Sequence, residues 1–304
     1  MKTHPAKTVI VITGPTASGK TAAAIRLAKH FKTEIISADS RQCYREMNIG
    51  VARPSPEELA AVPHHFIASH SIREEVTAAL FEEWALQKVK QLFEKYEVLI
   101  MVGGTGLYIR AFCEGLDAIP GTDPAIRQQV ISGYEEKGMA WLREEIKQKD
   151  PLFYEKGETR NPQRMMRALE VVLSTGQSIF SFHKKEKMQR DFSIIKTGLD
   201  LSREELHRNI HTRVDKMMEQ GLPEEARSLL PYRDLNALQT VGYSEMFAYL
   251  DGTLSLEKAV EEIKTHTRQY ARRQLTWFRK DKEIQWFSPL AYDEMRSWIE
   301  CHLQ

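Results

Sequence analysis

Residues Gly14-Pro15-Thr16-Ala17-Ser18-Gly19-Lys20-Thr21 set two glycines with four residues between them, then add a lysine and a hydroxyl side chain. This is the spacing of a phosphate-binding loop, in which backbone N–H groups turn inward and a helix N-terminus and the lysine add positive potential. The chemistry it predicts is capture of a polyphosphate, with Thr21 helping to hold Mg²⁺. The flanks agree. Thr8–Thr13 is a short β-branched apolar run, and Thr21–Phe31 carries Ile25, Leu27 and Ala28 at helical spacing. A buried strand therefore enters the loop and a helix leaves it.

A second group of reactive side chains follows the next predicted strand, Glu34–Ser37, in Ser37-Ala-Asp-Ser-Arg-Gln-Cys-Tyr-Arg45. Open parallel sheets bind ligands at the carboxyl ends of their strands, so Asp39 is expected beside the phosphate loop. Two roles are open to it: a cap or outer partner of Mg²⁺, or a general base. Gln42 and Tyr44 offer a hydrogen bond to a base edge and a stacking surface. The strand Val98–Val102 stands where an ATPase carries a magnesium-binding acid, but it runs into Gly103-Gly104-Thr105-Gly106 with no acid. That departure argues against ATP hydrolysis. The glycines either let a ligand approach the backbone or form a tight strand-to-helix turn, and Thr105 places a hydroxyl there.

Three basic clusters stand out: Arg160, Arg164 and Arg167; His183, Lys184, Lys185, Lys187 and Arg190; and Lys264 to Lys282, where arginines interleave with Tyr270, Trp277 and Phe278. The first has i, i+4, i+7 spacing, one face of a helix that starts near Asn161. Charge gathered in this way, in a chain whose net charge is only +1, favours a polyanion such as RNA over a set of unrelated solvated faces. His64, His65 and His70 lack metal-ligand spacing and read as loop residues. The pairs Met165–Met166 and Met217–Met218 read as core filler.

The elements that must position these groups follow from the apolar pattern. The 304 residues allow one large domain or two smaller ones. No apolar run is long enough to span a membrane, and three scattered cysteines form neither a zinc signature nor a disulfide framework, which predicts a cytoplasmic protein. Met1–Pro5 leads straight into the first strand, which predicts no signal peptide. Strands at 8–13, 34–37 and 98–102 alternate with helices at 20–31 and 76–95, an α/β doubly wound parallel sheet. Residues 43–75 look irregular. Near Ile119–Pro124 the character changes: helices at 125–137, 139–149, 161–175 and 178–187 form an all-helical insertion. Strand character returns at 192–200, followed by helices at 202–220, 222–230, 237–250 and 254–280 and a short final one. The predicted organisation is a core that begins with residues 1–120, a helical insertion over 121–191, and the same core continued over 192–304.

The strings at 14–21, 37–44, Gly103–Tyr108, Arg213–Met217, Val241–Glu245 and Thr267–Arg279 together resemble the tRNA dimethylallyltransferase (tRNA isopentenyltransferase) family. They span nearly the whole chain in the family's order. Cys43 stands where that family's string has valine, and the chain ends at Gln304 without a zinc finger, as in the bacterial form. The resemblance implies a phosphate-loop NTPase-like fold. It also implies transfer of a dimethylallyl group from dimethylallyl diphosphate to N6 of the adenosine 3′-adjacent to the anticodon, with diphosphate released.

The resemblance further implies roles for residues. Residues 14–21 and Arg213 hold the diphosphate, with Mg²⁺ as cofactor at Thr21. Asp39 takes the proton, and Thr105 and Lys20 assist. Asp39, Ser40, Arg41, Gln42, Thr105, Arg127, Gln163, Arg164, Met165, Met166 and Arg167 meet tRNA. A monomer is expected, with the insertion around the anticodon stem-loop. The competing readings are a nucleotide or metabolite kinase, an adenylate isopentenyltransferase acting on free AMP, and an RNA-binding regulator with a vestigial phosphate loop.

Overall fold

The computed structural model describes residues 7–183 and 187–303. Met1–Ala6, with the expected start of the chain, and Lys184 and Lys185 of the second basic cluster lie outside the described residues. The chain divides into two compact units, one built from its two ends (up to Glu114 and from Gln189), the other from Gly115–Met188.

Among the described residues, the first unit holds six parallel strands: β1 (Thr8–Thr13), β2 (Ile35–Ser37), β3 (His64–His65), β4 (Val98–Val102), β5 (Ser193–Leu199) and β6 (Gln285–Phe287). Their order is β3-β2-β4-β1-β5-β6. Parallel strands with both faces covered read as continuous apolar runs, which is why β1 and β4 were legible. The pleat divides their side chains. Val9, Val11, Leu99 and Met101 enter one core layer, and Ile10, Ile12, Ile100 and Val102 the other. β3 and β6 are too short to carry a periodic signal, and β3 falls in the stretch that reads as irregular.

Among the described residues, four helices precede the insertion: α1 (Lys20–Phe31), α2 (Pro56–Ala61), α3 (Ala78–Leu92) and α4 (Gly106–Glu114). The second unit contains α5 (Pro124–Lys149), α6 (Pro151–Lys156) and α7 (Pro162–Thr175). α5 breaks at Gly138, whose φ of 70° and ψ of −163° are not helical, so the expected pair of helices stands on either side of it. α7 starts where Asn161 accepts the amide of Arg164 and Pro162 opens the first turn. Of the helix expected at 178–187, the described residues show a 3-10 turn, Ile179–Phe182, and 184–186 lie outside them.

After β5 come α8 (Arg203–Glu219), α9 (Leu222–Leu229), α10 (Tyr243–Leu250), α11 (Leu256–Phe278) and α12 (Tyr292–Cys301). α10 is shorter than the expected 237–250, because Gly242 at φ 101° caps it; before it come a 3-10 turn at Asn236–Leu238 and bends and a turn over 239–241. α1 and α12 cover one sheet face; α3, α4 and α8 to α11 cover the other.

The strand order decides what meets at the site. β2, β4 and β1 are neighbours, so the loops after them emerge side by side. These are Ala38–Tyr44, Gly103–Thr105 and the phosphate loop, which are far apart in the chain.

Candidate active site

α1 begins at Gly19, which caps it in the left-handed region at φ 84°. Ala17 is also left-handed, at φ 64°. These turns curl the loop so that the amides of Ala17, Gly19, Lys20 and Thr21 donate to no described residue. Two others are taken by the protein: Ser18 N donates to Pro15 O at 3.3 Å, and Thr16 N to Gln274 Oε1 at 2.8 Å. Ser18 Oγ is buried with no hydrogen-bond partner among the described residues. Lys20 Nζ reaches back to Pro15 O at 2.5 Å. Loss of hydration, with Arg213 close by, pushes the Lys20 amine down to about 7, while Asp39 pulls it the other way. Arg213 donates to Thr16 Oγ1 at 2.9 Å, and Asn209, one turn earlier on α8, to Ala17 O at 3.2 Å. Two cations and at least four open amides thus face a cavity of about 520 Å³ that Thr21, Asp39 and Gln42 also line.

Asp39 follows β2 as expected. Its Oδ1 accepts the amides of Arg41 at 2.9 Å and Gln42 at 3.1 Å, an Asx turn. Oδ2 accepts no hydrogen bond from the described residues. Thr105 makes no hydrogen bond to Asp39 among the described residues. Its hydroxyl accepts Ser40 N at 3.0 Å and donates to Ser40 Oγ at 3.2 Å, so it fixes the turn through the neighbouring residue. The Gln42 amide nitrogen is committed to Ala52 O at 2.9 Å and Val51 O at 3.3 Å, so its donor end supports a loop.

The glycines after β4 also meet the protein closely, and Gly103 and Gly104 line the phosphate cavity. A Cβ on Gly103 would stand 2.2 Å from Ala38 O, one on Gly104 2.3 Å from Gln274 Nε2, and one on Gly106 2.3 Å from the Trp277 ring. The protein itself comes close here: the β2 loop on one side and α11 on the other.

Gln274 carries no signal as an isolated residue, yet it is buried and joins two loops. Its Oε1 takes Thr16 N and its Nε2 donates to Gly104 O at 2.8 Å. Thr267, Tyr270 and Gln274 share one face of α11 at i, i+3, i+7, the pattern that marks the site side of that helix. Gln274→Leu keeps the bulk but strands a buried amide and carbonyl. It is expected to lower stability by about 1–3 kcal/mol, read from the midpoint of urea unfolding. An unchanged midpoint would contradict the bridging role.

Beyond the phosphate cavity lies a small apolar pocket of about 110 Å³ between Val214, Met217, Val241 and Ile263. A further cavity of about 570 Å³ is lined by Ser40, Arg41, Gln239, His266 and Arg273. Asp39 and Arg213 line both the first and the second, Arg41 the second and the third, and Tyr270 all three.

The basic clusters are less free than their spacing implies. Arg160 precedes α7 and is not on its face. Arg167 is tied to Thr122 Oγ1 at 3.1 Å and Glu170 at 3.3 Å. Arg190 is a buried staple, paired with Glu82 at 2.8 Å and donating to the carbonyls of Ala111 and Phe112. Lys264 pairs with Asp215 and Glu261, Arg268 with His211, and Arg279 with Asp200. Met165 and Met166, expected among RNA-contacting positions, are 0% and 7% exposed in the core of the second unit. Their side chains fill that core, while Gln163, Arg164 and Arg127 are exposed.

A family model described as IPP transferase matches residues 42–281. The chain belongs to the IPP transferase family. Among curated members of the family, a tRNA dimethylallyltransferase from Christiangramia forsetii is 50% identical over 279 residues, covering 92% of each chain. Another, from Cytophaga hutchinsonii, is 46% identical over 298 residues, covering 98% of each. A solved IPP transferase relative, the tRNA isopentenylpyrophosphate transferase of Bacillus halodurans, superposes with a TM-score of 0.72 at 34% identity, covering 98% of this chain and 97% of that one. A eukaryotic dimethylallyltransferase described as acting on tRNA gives 0.78 at 26% identity, covering 96% and 77%. These likenesses agree with the parallel sheet and with the resemblance carried by the motifs. Among the described residues no helix is long and apolar enough to cross a membrane.

Proposed function

We propose that this enzyme transfers a dimethylallyl group from dimethylallyl diphosphate to N6 of the adenosine 3′-adjacent to the anticodon of tRNA. The observation that carries the reading is the place of Asp39. It lines both the cationic phosphate cavity and the small apolar pocket, and keeps one carboxylate oxygen free of hydrogen bonds to described residues. The donor's diphosphate fits against the open amides of residues 17–21, Lys20 and Arg213, and an oxygen of it supplies the partner that Ser18 Oγ lacks. Its five-carbon chain fits the apolar pocket.

The target adenine leaves its stack and enters from the side of Ser40 and Arg41. The bond from the allylic carbon to the diphosphate oxygen breaks and a bond from that carbon to N6 forms. The N6 proton passes to Asp39, and Lys20, Arg213 and the loop amides hold the charge that grows on the departing diphosphate. Ser40 and Thr105 keep Asp39's turn in place.

The donor set suits Mg²⁺. Thr21 puts a hydroxyl on the cavity that would hold the diphosphate, a hard oxygen of the kind that shares this ion with substrate phosphates. Bound there, it would neutralise some of the leaving group's charge.

The test is incubation of the full chain with labelled dimethylallyl diphosphate, Mg²⁺ and either unmodified tRNA or AMP. Label is expected in tRNA at the adenosine beside the anticodon. Label in AMP alone would make the protein an adenylate isopentenyltransferase, and binding of both substrates without transfer would make it an RNA-binding regulator.

A further inference from the structure

Asn48–Arg53 forms neither strand nor helix, yet it walls the site. Val51 and Ala52 line both the phosphate cavity and the small pocket, and Gly50 lines the latter. Peptide groups outside regular structure need partners, and side chains supply them here. Glu225, on α9, accepts three successive amides: Asn48 N at 3.1 Å and Ile49 N at 2.8 Å on Oε2, and Gly50 N at 2.9 Å on Oε1. The phenol of Tyr243 donates to the same carboxylate at 2.6 Å. From the other side Arg53 donates to the carbonyls of Tyr44, Arg45 and Met47. Gly50 is pressed on the Tyr243 ring, where an added Cβ would stand 2.6 Å away. Neither Glu225 nor Tyr243 lines the pocket, so both act through the loop.

The pocket is small. A cavity of roughly 150 Å³ accepts the six carbons of benzene. About 110 Å³ therefore suits a branched five-carbon chain and not a ten-carbon one.

We propose that Glu225 is a positioning residue for donor chain length: its grip on residues 48–50 fixes one wall of the pocket and restricts transfer to the five-carbon donor. The inference rests on the prenyl-transfer reading above. The carboxylate is needed as such. Four donors converge on its two oxygens, and an amide would turn an N–H₂ group toward some of them.

The experiment measures kcat and KM of the full chain with dimethylallyl diphosphate and with its ten-carbon homologue geranyl diphosphate, tRNA being saturating. Thermal melts verify that each variant is folded. The wild type is expected to favour the shorter donor strongly. Glu225→Gln is expected to raise KM for the shorter donor about 10-fold with a smaller change in kcat, and to narrow the ratio of kcat/KM between donors by about 10-fold. Glu225→Asp, which keeps both acceptor oxygens, is expected to restore some of the ratio. Should Glu225→Gln fail to fold, Tyr243→Phe removes one donor and is expected to narrow the ratio in the same direction. An active wild type with an unchanged ratio in the folded variants overturns the inference alone. A wild type that transfers neither group to tRNA overturns the function on which it rests.

Discussion

Asp39→Asn is expected to lower kcat by about 10²–10⁴-fold, the range that a positioned general base contributes, and to leave tRNA affinity close to that of the wild type. The asparagine side-chain oxygen can still accept the amides of Arg41 and Gln42, which Asp39 Oδ1 takes at 2.9 and 3.1 Å. The turn that carries Ser40 and Gln42 therefore survives, and only the basicity is lost. Asp39→Ala removes both, so any extra loss of RNA binding in the alanine variant measures the turn and not the chemistry. Single-turnover transfer and a filter-binding assay separate the two quantities. An asparagine variant with near wild-type kcat would show that the N6 proton leaves by another route.

Lys20→Met is expected to cost about 10²–10³-fold in kcat/KM for the donor, the scale on which one fixed positive group stabilises a developing oxyanion. The pH dependence gives a second readout. In the structure the Lys20 amine sits at about 7, because burial and Arg213 disfavour its charge. A bound diphosphate favours the charged form and raises the value. Below about 7 the amine is already protonated in the free protein and donor affinity is at its highest. As pH rises through that value the free protein loses the proton that the complex keeps, so affinity falls and binding takes up a proton. The fall ends once pH exceeds the raised value in the complex. Calorimetry about one pH unit above the free-protein value, in buffers of different ionisation enthalpy, is expected to show that uptake in the wild type and its loss in Lys20→Met. Equal uptake in both would assign it to another group.

The features of this site that were legible in the sequence are those set by short-range chemistry. The phosphate loop needs left-handed turns at fixed offsets and a helix start, so Gly14, Gly19 and Lys20 announce it within eight residues. Parallel strands buried on both faces need unbroken apolar runs, so β1 and β4 declare themselves. The basic clusters were legible only as positions, because spacing shows only where a charge lies along its own helix. It cannot show that Arg190 is sealed against Glu82 and two carbonyls, or that Lys264 pairs with Asp215 from α8. The methionines at 165 and 166 point inward because α7 needs an apolar stripe to bury, whatever its polar neighbours contact.

By itself, then, the sequence determined the glycine-bearing turn that starts α1, the carboxylate after the second strand, the helical segments of the second unit and the family. Each depends on residues within a turn or two of one another, or on strings matched in order along the chain. Tertiary structure alone decided that β4 would lie between β2 and β1, which brings Asp39, Thr105 and the phosphate loop to one edge. It also joined Thr16 to Gln274 across 258 residues, and Gly50 to Glu225 across 175. Those contacts exist because buried peptide groups must find partners once water is excluded, and the partner is whichever side chain the packed helices bring within reach.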